Sequence, residues 1–252
     1  MTTARAPIGT LLPALTDLLL PSACGGCGAP ADGWCPACAD TLDGPLVAHP
    51  VRAGPPVVAA GRYRGPLRRA VLGFKERGRR DLGPALARLL VPVVAEVAPV
   101  HPDGPVWLVG APSRRSAARA RGGDHVARLC RQLAARLSAA GLDARTAPVL
   151  ALDRRVRDSV GLDPGQRAAN LHGAVRVART GLPPPGHPGQ VLLVDDVVTT
   201  GATLDACREA LRDVGLAVHA TVVLCDATGR RGLHRTVPGR RSGQGCPGDR
   251  RR

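Results

Sequence analysis

An α/β domain built on a parallel sheet, with a small cysteine-rich module in front, is the fold class predicted by three features of the 252-residue chain. Two short apolar runs, Val106 to Val109 and Val191 to Val194, lack the alternation of a half-exposed strand and suit parallel strands covered on both faces. Each run leads into a glycine-containing loop and then a helical pattern, the repeating unit of such sheets. Ahead of both, Cys24, Cys27, Cys35 and Cys38 form two C-x2-C pairs with seven residues between them.

Taken in order, Ile8, Leu11, Leu12, Leu15, Leu18 and Leu19 follow helical spacing. The run superficially resembles a lipoprotein leader ending at Cys24. Asp17 interrupts it, Pro21 stands where an aliphatic residue is wanted, and Arg5 is the whole basic region, so a short helix packed on the cysteine module is preferred. No stretch reaches the length of a membrane span, and a cytoplasmic location is expected. Val57 to Tyr63 reads as a strand, and Gly65-Pro66-Leu67-Arg68-Arg69 starts a helix leading to Phe74-Lys75-Glu76. From Asp81, the residues Leu82, Leu86, Leu89, Leu90 and Val93 mark an amphipathic helix that Pro92 should kink or end. The strand Val106 to Val109 delivers Gly110-Ala111-Pro112-Ser113-Arg114-Arg115, and Arg119, Arg121, Gly122 and Gly123 follow as a basic segment able to close over a ligand. A helix then runs from about Asp124 through Val126, Leu129, Cys130, Leu133 and Leu137 to a stop at Gly141. Leu204, Cys207, Leu211 and Val214 mark another, stopped by Gly215.

Composition bounds what these elements can do. Hydrophobic residues make up 44% of the chain, enough for a sizeable core, and aromatics only 2%, so stacking platforms for single-stranded nucleic acid are scarce. The formal charge is +15, but eight arginines against one acid, Asp249, place about +7 of it between Arg230 and Arg252, leaving about +8 over the remainder. Residues 1–50 are expected to hold the short helix and cysteine module, 51–229 the α/β domain, and 230–252 a basic disordered tail.

The segment Val191-Leu192-Leu193-Val194-Asp195-Asp196-Val197-Val198-Thr199-Thr200-Gly201-Ala202-Thr203 carries the most chemistry. Ligands of open α/β sheets gather at the carboxyl ends of the strands, where free N–H groups and the dipole of a helix start favour phosphate. Thr199, Thr200 and Thr203 add hydroxyl donors, Gly201 lets the backbone approach an anion closely, and Ala202 belongs to the same phosphate turn. Asp195 and Asp196, placed a few residues earlier in the loop, suit two neighbouring ribose hydroxyls. The pattern fits a 5-phosphoribosyl group. In the other loop Gly110 permits close approach to pyrophosphate, with Arg114, Lys75 and Arg121 as cationic candidates for the same group.

Four thiolates in paired knuckles suit one tetrahedral ion, and soft thiolates favour zinc; Cys24, Cys27, Cys35 and Cys38 are therefore read as a closed structural Zn2+ site. Two disulfides or an iron–sulfur centre are the alternatives. Cys130, Cys207, Cys225 and Cys246 have no metal spacing.

The Asp195 to Thr203 motif resembles that of type I phosphoribosyltransferases, whose substrate is 5-phosphoribosyl-1-pyrophosphate. A four-cysteine knuckle, a Tyr-x-Gly-Pro-Leu-Arg segment from Tyr63 with Lys75 following, the Pro112 loop before Arg121-Gly122, Arg167-Ala168-Ala169-Asn170 and the Asp-Asp-x-x-Thr-Thr-Gly motif, in this order, resemble the ComF/GntX family. That resemblance implies a type I phosphoribosyltransferase-like parallel sheet flanked by helices, preceded by a zinc knuckle. It covers roughly residues 20 to 228. Where the family usually has Arg-Gly-Phe-Asn-Gln, this chain has Arg121-Gly122-Gly123-Asp124-His125, and Ser159 replaces the family's usual Gln. No carboxylate stands at Thr199, where purine-salvage members of the superfamily often carry one.

Two functions are consistent with this reading. In the first, phosphoribosyl pyrophosphate binds with Mg2+ and its phosphoribosyl group passes to an unidentified nitrogenous acceptor with release of pyrophosphate. In the second, implied by the family's link to DNA uptake, the protein is a DNA-handling or competence accessory with a vestigial or sensory phosphoribosyl site, touching nucleic acid or competence-protein partners through knuckle and tail.

Overall fold

Unbroken apolar runs take the middle of a seven-stranded sheet in the computed structural model, which describes residues 23–48, 54–98, 104–113, 123–153, 173–187, 189–229 and 233–234. The strands are β1 (Leu46–Ala48), β2 (Val57–Arg62), β3 (Val106–Gly110), β4 (Ala144–Thr146), β7 (Gln190–Val198), β8 (Ala220–Asp226) and β9 (Leu233–His234), in the order β4-β3-β7-β8-β2-β1-β9. From β4 to β2 every neighbour is parallel, and β1 and β9 add an antiparallel edge. The predicted α/β fold with a mostly parallel sheet is the observed one. A separate hairpin pairs β5 (Leu150–Leu152) with β6 (Val175–Val177).

Helices cover both faces, as parallel crossovers require. On one side lie α2 (Gly65–Glu76), α3 (Gly83–Val97) and α4 (His125–Ala139), whose Leu67, Phe74, Leu86, Leu90, Leu129 and Leu133 pack on Leu192 and Val194 of β7. On the other side α5 (Ala202–Asp213) and the hairpin pack on Val191 and Leu193. Among the described residues no helix is long and apolar enough to cross a membrane.

Several elements differ from expectation. β7 does not stop at Val194; Asp195, Val197 and Val198 continue the ladder against Val223, Cys225 and Asp226 of β8. The acids therefore sit in the strand rather than in the loop, because a fully buried neighbour of equal reach offers backbone partners that a solvated loop would forgo. That neighbour, β8, goes beyond the strands expected above. Pro92 neither ends nor interrupts α3: it and Arg88, whose carbonyl loses its partner, are both exposed, so the freed acceptor is on the solvent side of the helix. The anticipated apolar contact from Val214 is absent, that residue being 44% exposed just past α5. The sheet reaches His234, past the boundary expected at 229. The Ile8 to Leu20 helix, Ser159, Asn170 and most of the basic tail lie outside the described residues.

In the cysteine module, Cys35 precedes the one-turn α1 (Pro36–Ala39). The first knuckle rests directly on α2. A Cβ on Gly25 would lie 2.8 Å from Leu82 and 3.1 Å from Ala70, and one on Gly26 would lie 2.7 Å from the Cys38 sulfur and 2.8 Å from Pro66, so only glycine fits either position. Arg79 donates to the Ala23 carbonyl at 2.7 Å and Arg69 to that of Gly26.

Candidate functional site at the carboxyl edge of the sheet

Alternation along β7 sends consecutive acids to opposite faces. Asp196 points toward α2 and α4 and is 3% exposed; Asp195 points toward the α5 face and is partly exposed. Both oxygens of Asp196 are engaged. Lys75 of α2 lies 2.8 Å from Oδ2 and 3.2 Å from Oδ1, and His125 Nε2, at the start of α4, is 2.8 Å from Oδ2. Because an ionised carboxylate only accepts, His125 donates through Nε2. Burial alone would raise the Asp196 pKa; the His125 hydrogen bond and the Lys75 charge more than reverse this and hold it well below the ordinary carboxylate range. Asp196 is therefore engaged within the fold rather than standing in a loop as expected, while the Lys75 ammonium, a third exposed, still reaches the surface beside it.

Asp195 is placed differently. Its Oδ1 accepts the Asp196 N–H at 2.8 Å, and burial followed by the neighbouring Asp196 charge pushes its pKa well above the ordinary value. A cation or hydroxyl donor arriving at this carboxylate would meet a group for which the fold supplies little else.

Beyond Val198 the chain turns through exposed Thr199 and Thr200 into α5. Gly201 at the helix N-cap has φ +81°, a left-handed conformation that a side chain would strain by about 1 kcal/mol or more. The Thr200 hydroxyl lies 3.4 Å from the Ala202 N–H, a long contact, and Ala202 and Thr203 are partly exposed. Exposed hydroxyls, free N–H groups and the helix dipole converge there, the makings of an anion cradle.

The β3 loop arrives beside it, since Gly110 pairs with Val194 and the Ala111 N–H donates to the Val194 carbonyl at 2.8 Å. Gly110 serves packing: a Cβ there would stand 3.2 Å from Val126 and 3.3 Å from Cys130 on α4. Asp124 ties this loop down, capping α4 through the N–H groups of Val126 and Ala127 at 2.9 and 3.1 Å and accepting the Ser113 hydroxyl at 3.3 Å. Arg114 and Arg121 lie outside the described residues.

Asp124 and His125 are thus the residues that sequence reasoning undervalued. Their signal was present as the unusual pair in the segment beginning at Arg121, yet nothing in it shows that His125 meets an acid 71 positions later. The ring is 5% exposed and stands edge-on to Phe74 with centroids 6.0 Å apart.

The sulfurs of Cys24, Cys27, Cys35 and Cys38 all lie within 4.8 Å of one another and are unpaired, with Cys27 and Cys35 3.6 Å apart. N–H groups of Gly26 and Cys35 point at the Cys24 sulfur at 3.4 Å, an arrangement suited to a thiolate. The cluster can hold a metal ion. Cys130, Cys207 and Cys225 are buried, as expected of the first two, and burial pushes the Cys130 thiol up to about 12.

No curated protein sequence matches the chain. Among solved structures, orotate phosphoribosyltransferase from Aeropyrum pernix is similar at 21% identity, with a TM-score of 0.33 over 66% of this chain and 66% of that one. Hypoxanthine phosphoribosyl transferase from Trypanosoma cruzi is similar at 20% identity, with a TM-score of 0.33 over 65% of this chain and 72% of that one. Residues 184–240, which span β7, the Thr199 turn, α5 and β8, match the model of the phosphoribosyl transferase domain.

Proposed function

We propose that the protein is a phosphoribosyltransferase that binds 5-phosphoribosyl-1-pyrophosphate and transfers its phosphoribosyl group to a nitrogen nucleophile. The observation that carries this reading is the turn from exposed Thr199 and Thr200 into α5, which begins four residues beyond a partly exposed Asp195 and lies inside the matched domain. The turn holds the 5-phosphate through Thr199, Thr200, Gly201, Ala202 and Thr203. Asp195 accepts from a ribose hydroxyl, and Asp196 fixes the strand beneath it through Lys75 and His125. Pyrophosphate lies toward β3 and the Gly110 loop, with Arg114 and Arg121 as its cationic partners.

Magnesium bound with the pyrophosphate would neutralise the departing charge, and Asp195 is a hard oxygen donor placed to face it. Positive charge developing at ribose C1 is favoured by the same carboxylate. Thr199 supplies no base, so the acceptor attacks through a nitrogen that needs none from this turn. The cysteine cluster is assigned to a structural zinc ion: Zn–S bonds of about 2.3 Å place tetrahedral sulfurs about 3.8 Å apart, compatible with the spacing found.

Asp195→Asn tests the assignment. Calorimetry with magnesium and phosphoribosyl pyrophosphate should show binding at least about tenfold weaker than in the parent, the scale of one hydrogen bond to a charged group. Thermal stability should be kept, because the substitution removes a carboxylate that is hard to ionise. A parent protein that does not bind the ligand refutes the function; equal affinity in the variant refutes the role of Asp195.

A further inference from the structure

The start of α4 reaches two parts of the site at once. Asp124, its N-cap, accepts the N–H groups of Val126 and Ala127 and also holds the β3 loop, through the Ser113 hydroxyl at 3.3 Å and, at a longer 3.4 Å, the Ser113 N–H. The next residue, His125, donates through Nε2 to Oδ2 of Asp196 on β7 at 2.8 Å. Two consecutive side chains therefore join loop to helix and helix to strand. The His125 ring is buried edge-on to Phe74, and its Nδ1 has no hydrogen-bond partner among the described residues. A core that needed only volume here would be served by an apolar side chain, without a buried nitrogen left unpaired. What histidine adds is the bond to Asp196.

That bond bears on Asp195. Its Oδ1 accepts the Asp196 N–H at 2.8 Å, so the peptide between the two acids sets where the first carboxylate stands, and holding the Asp196 side chain holds that peptide. The β3 loop needs a separate tie. The ladder between β3 and β7 ends at the pair Gly110 and Val194, and its last backbone bond runs from the Ala111 N–H to the Val194 carbonyl. Past that point Ser113 and Asp196 are linked through Asp124 and His125, a bridge whose two arms leave the first turn of one helix. The β3 arm requires an acceptor that can cap a helix, and the β7 arm a donor of imidazole reach.

We propose that Asp124 and His125 are positioning residues for the phosphoribosyl site, which together fix the span between the β3 loop and Asp195. The proposal rests on the phosphoribosyltransferase reading above, in which the loop takes pyrophosphate and Asp195 takes the ribose. Neither residue has to touch the ligand. A ligand that bridges two subsites gains from engaging both only where their separation matches its own length. Misplacement by about 1 Å can cost about a hundredfold in rate, so a span fixed by short side chains on a rigid helix start matters more than its individual bonds.

The test separates the span from its two ends. Calorimetry on the full-length zinc-loaded protein follows magnesium phosphoribosyl pyrophosphate, ribose 5-phosphate alone and magnesium pyrophosphate alone, at a temperature where circular dichroism shows each variant folded. His125→Ala and Asp124→Ala should each weaken the whole ligand at least about tenfold and leave both fragments within about threefold of the parent. His125→Gln and Asp124→Asn, which keep a donor and a capping acceptor, should return the whole ligand to within about threefold. Ser113→Ala cuts the β3 arm and leaves the helix cap whole, and so covers the case in which an alanine at 124 or 125 prevents folding. It should weaken the whole ligand about threefold or more, the scale of one neutral hydrogen bond. Whole-ligand affinity equal to the parent in these variants, or fragments weakened as much as the whole ligand, would overturn the positioning role while the function stands. Failure of the parent to bind phosphoribosyl pyrophosphate would overturn both the role and the reading beneath it.

Discussion

Lys75→Met is expected to lower the unfolding free energy by about 2 to 3 kcal/mol in urea titrations, although Lys75 is itself a third exposed. The cost arises at Asp196, which is 3% exposed and would lose its cation while remaining buried. His125→Ala, which removes a buried ring and a donor to the same carboxylate, should cost about 3 kcal/mol, and His125→Gln, which restores an amide donor, about 1 kcal/mol. In an Asp196→Asn background Lys75→Met should be nearly silent, giving a coupling of at least about 1.5 kcal/mol in the double-mutant cycle. Additive effects would show that the three side chains do not act together. Acid provides a second readout. A carboxyl whose folded pKa is depressed contributes stability that is complete above the ordinary carboxylate value near 4 and is lost as pH falls below it toward the folded value. Parent stability should therefore fall on acidification below about pH 4, and that loss should shrink in Lys75→Met. Asp195 acts in the opposite sense, its raised pKa subtracting stability as pH rises above about 4, and because the Lys75 charge lowers both carboxyls the difference between parent and variant reports the pair.

The second large effect concerns the cysteine cluster. Native mass spectrometry should find one zinc ion per chain, and Cys35→Ser should abolish it. Structural zinc sites bind with apparent free energies of about 10 to 16 kcal/mol near neutral pH, most of which is folding free energy for the module they close. The loss should spread. Gly25 and Gly26 lie against Leu82, Ala70 and Pro66, and Arg69 and Arg79 hold the knuckle carbonyls, so an open knuckle uncovers the first half of α2 and Leu82 beyond it. A fall in Tm of roughly 10 °C is expected for a destabilisation of a few kcal/mol in a chain of this size. Chelation that strips zinc and leaves Tm unchanged would mean that the module is an independent appendage.

Much of the fold was legible because its elements are locally specified. The apolar runs from Val106 and Val191, the helical spacing from Asp124 to Gly141 and the Thr199 turn all declare themselves within a few residues. The site was legible in part for the same reason: a threonine- and glycine-containing turn opening a helix is a local pattern. The disposition of the two acids was not. Whether Asp195 and Asp196 lie in strand or loop is decided by how far β8 extends beside them, and β8 begins more than twenty residues later. Lys75 and Asp196 are 121 positions apart, so the pairing that joins them leaves no mark on either segment. Pro92 misleads for a related reason, since a helix tolerates it only where the freed carbonyl faces water, and that depends on the packing of α3.

The opposite orientation of Asp195 and Asp196 divides a two-letter motif into separately inherited parts. Among related chains, positions 75 and 196 should change as a pair, a cation and an acid lost together, while position 125 need only keep a hydrogen-bond donor. Position 195 should follow the ligand alone. A relative that has replaced the second acid by a neutral residue, and with it the lysine, would retain its binding site; one that has lost only the first would retain the fold and lose the ligand.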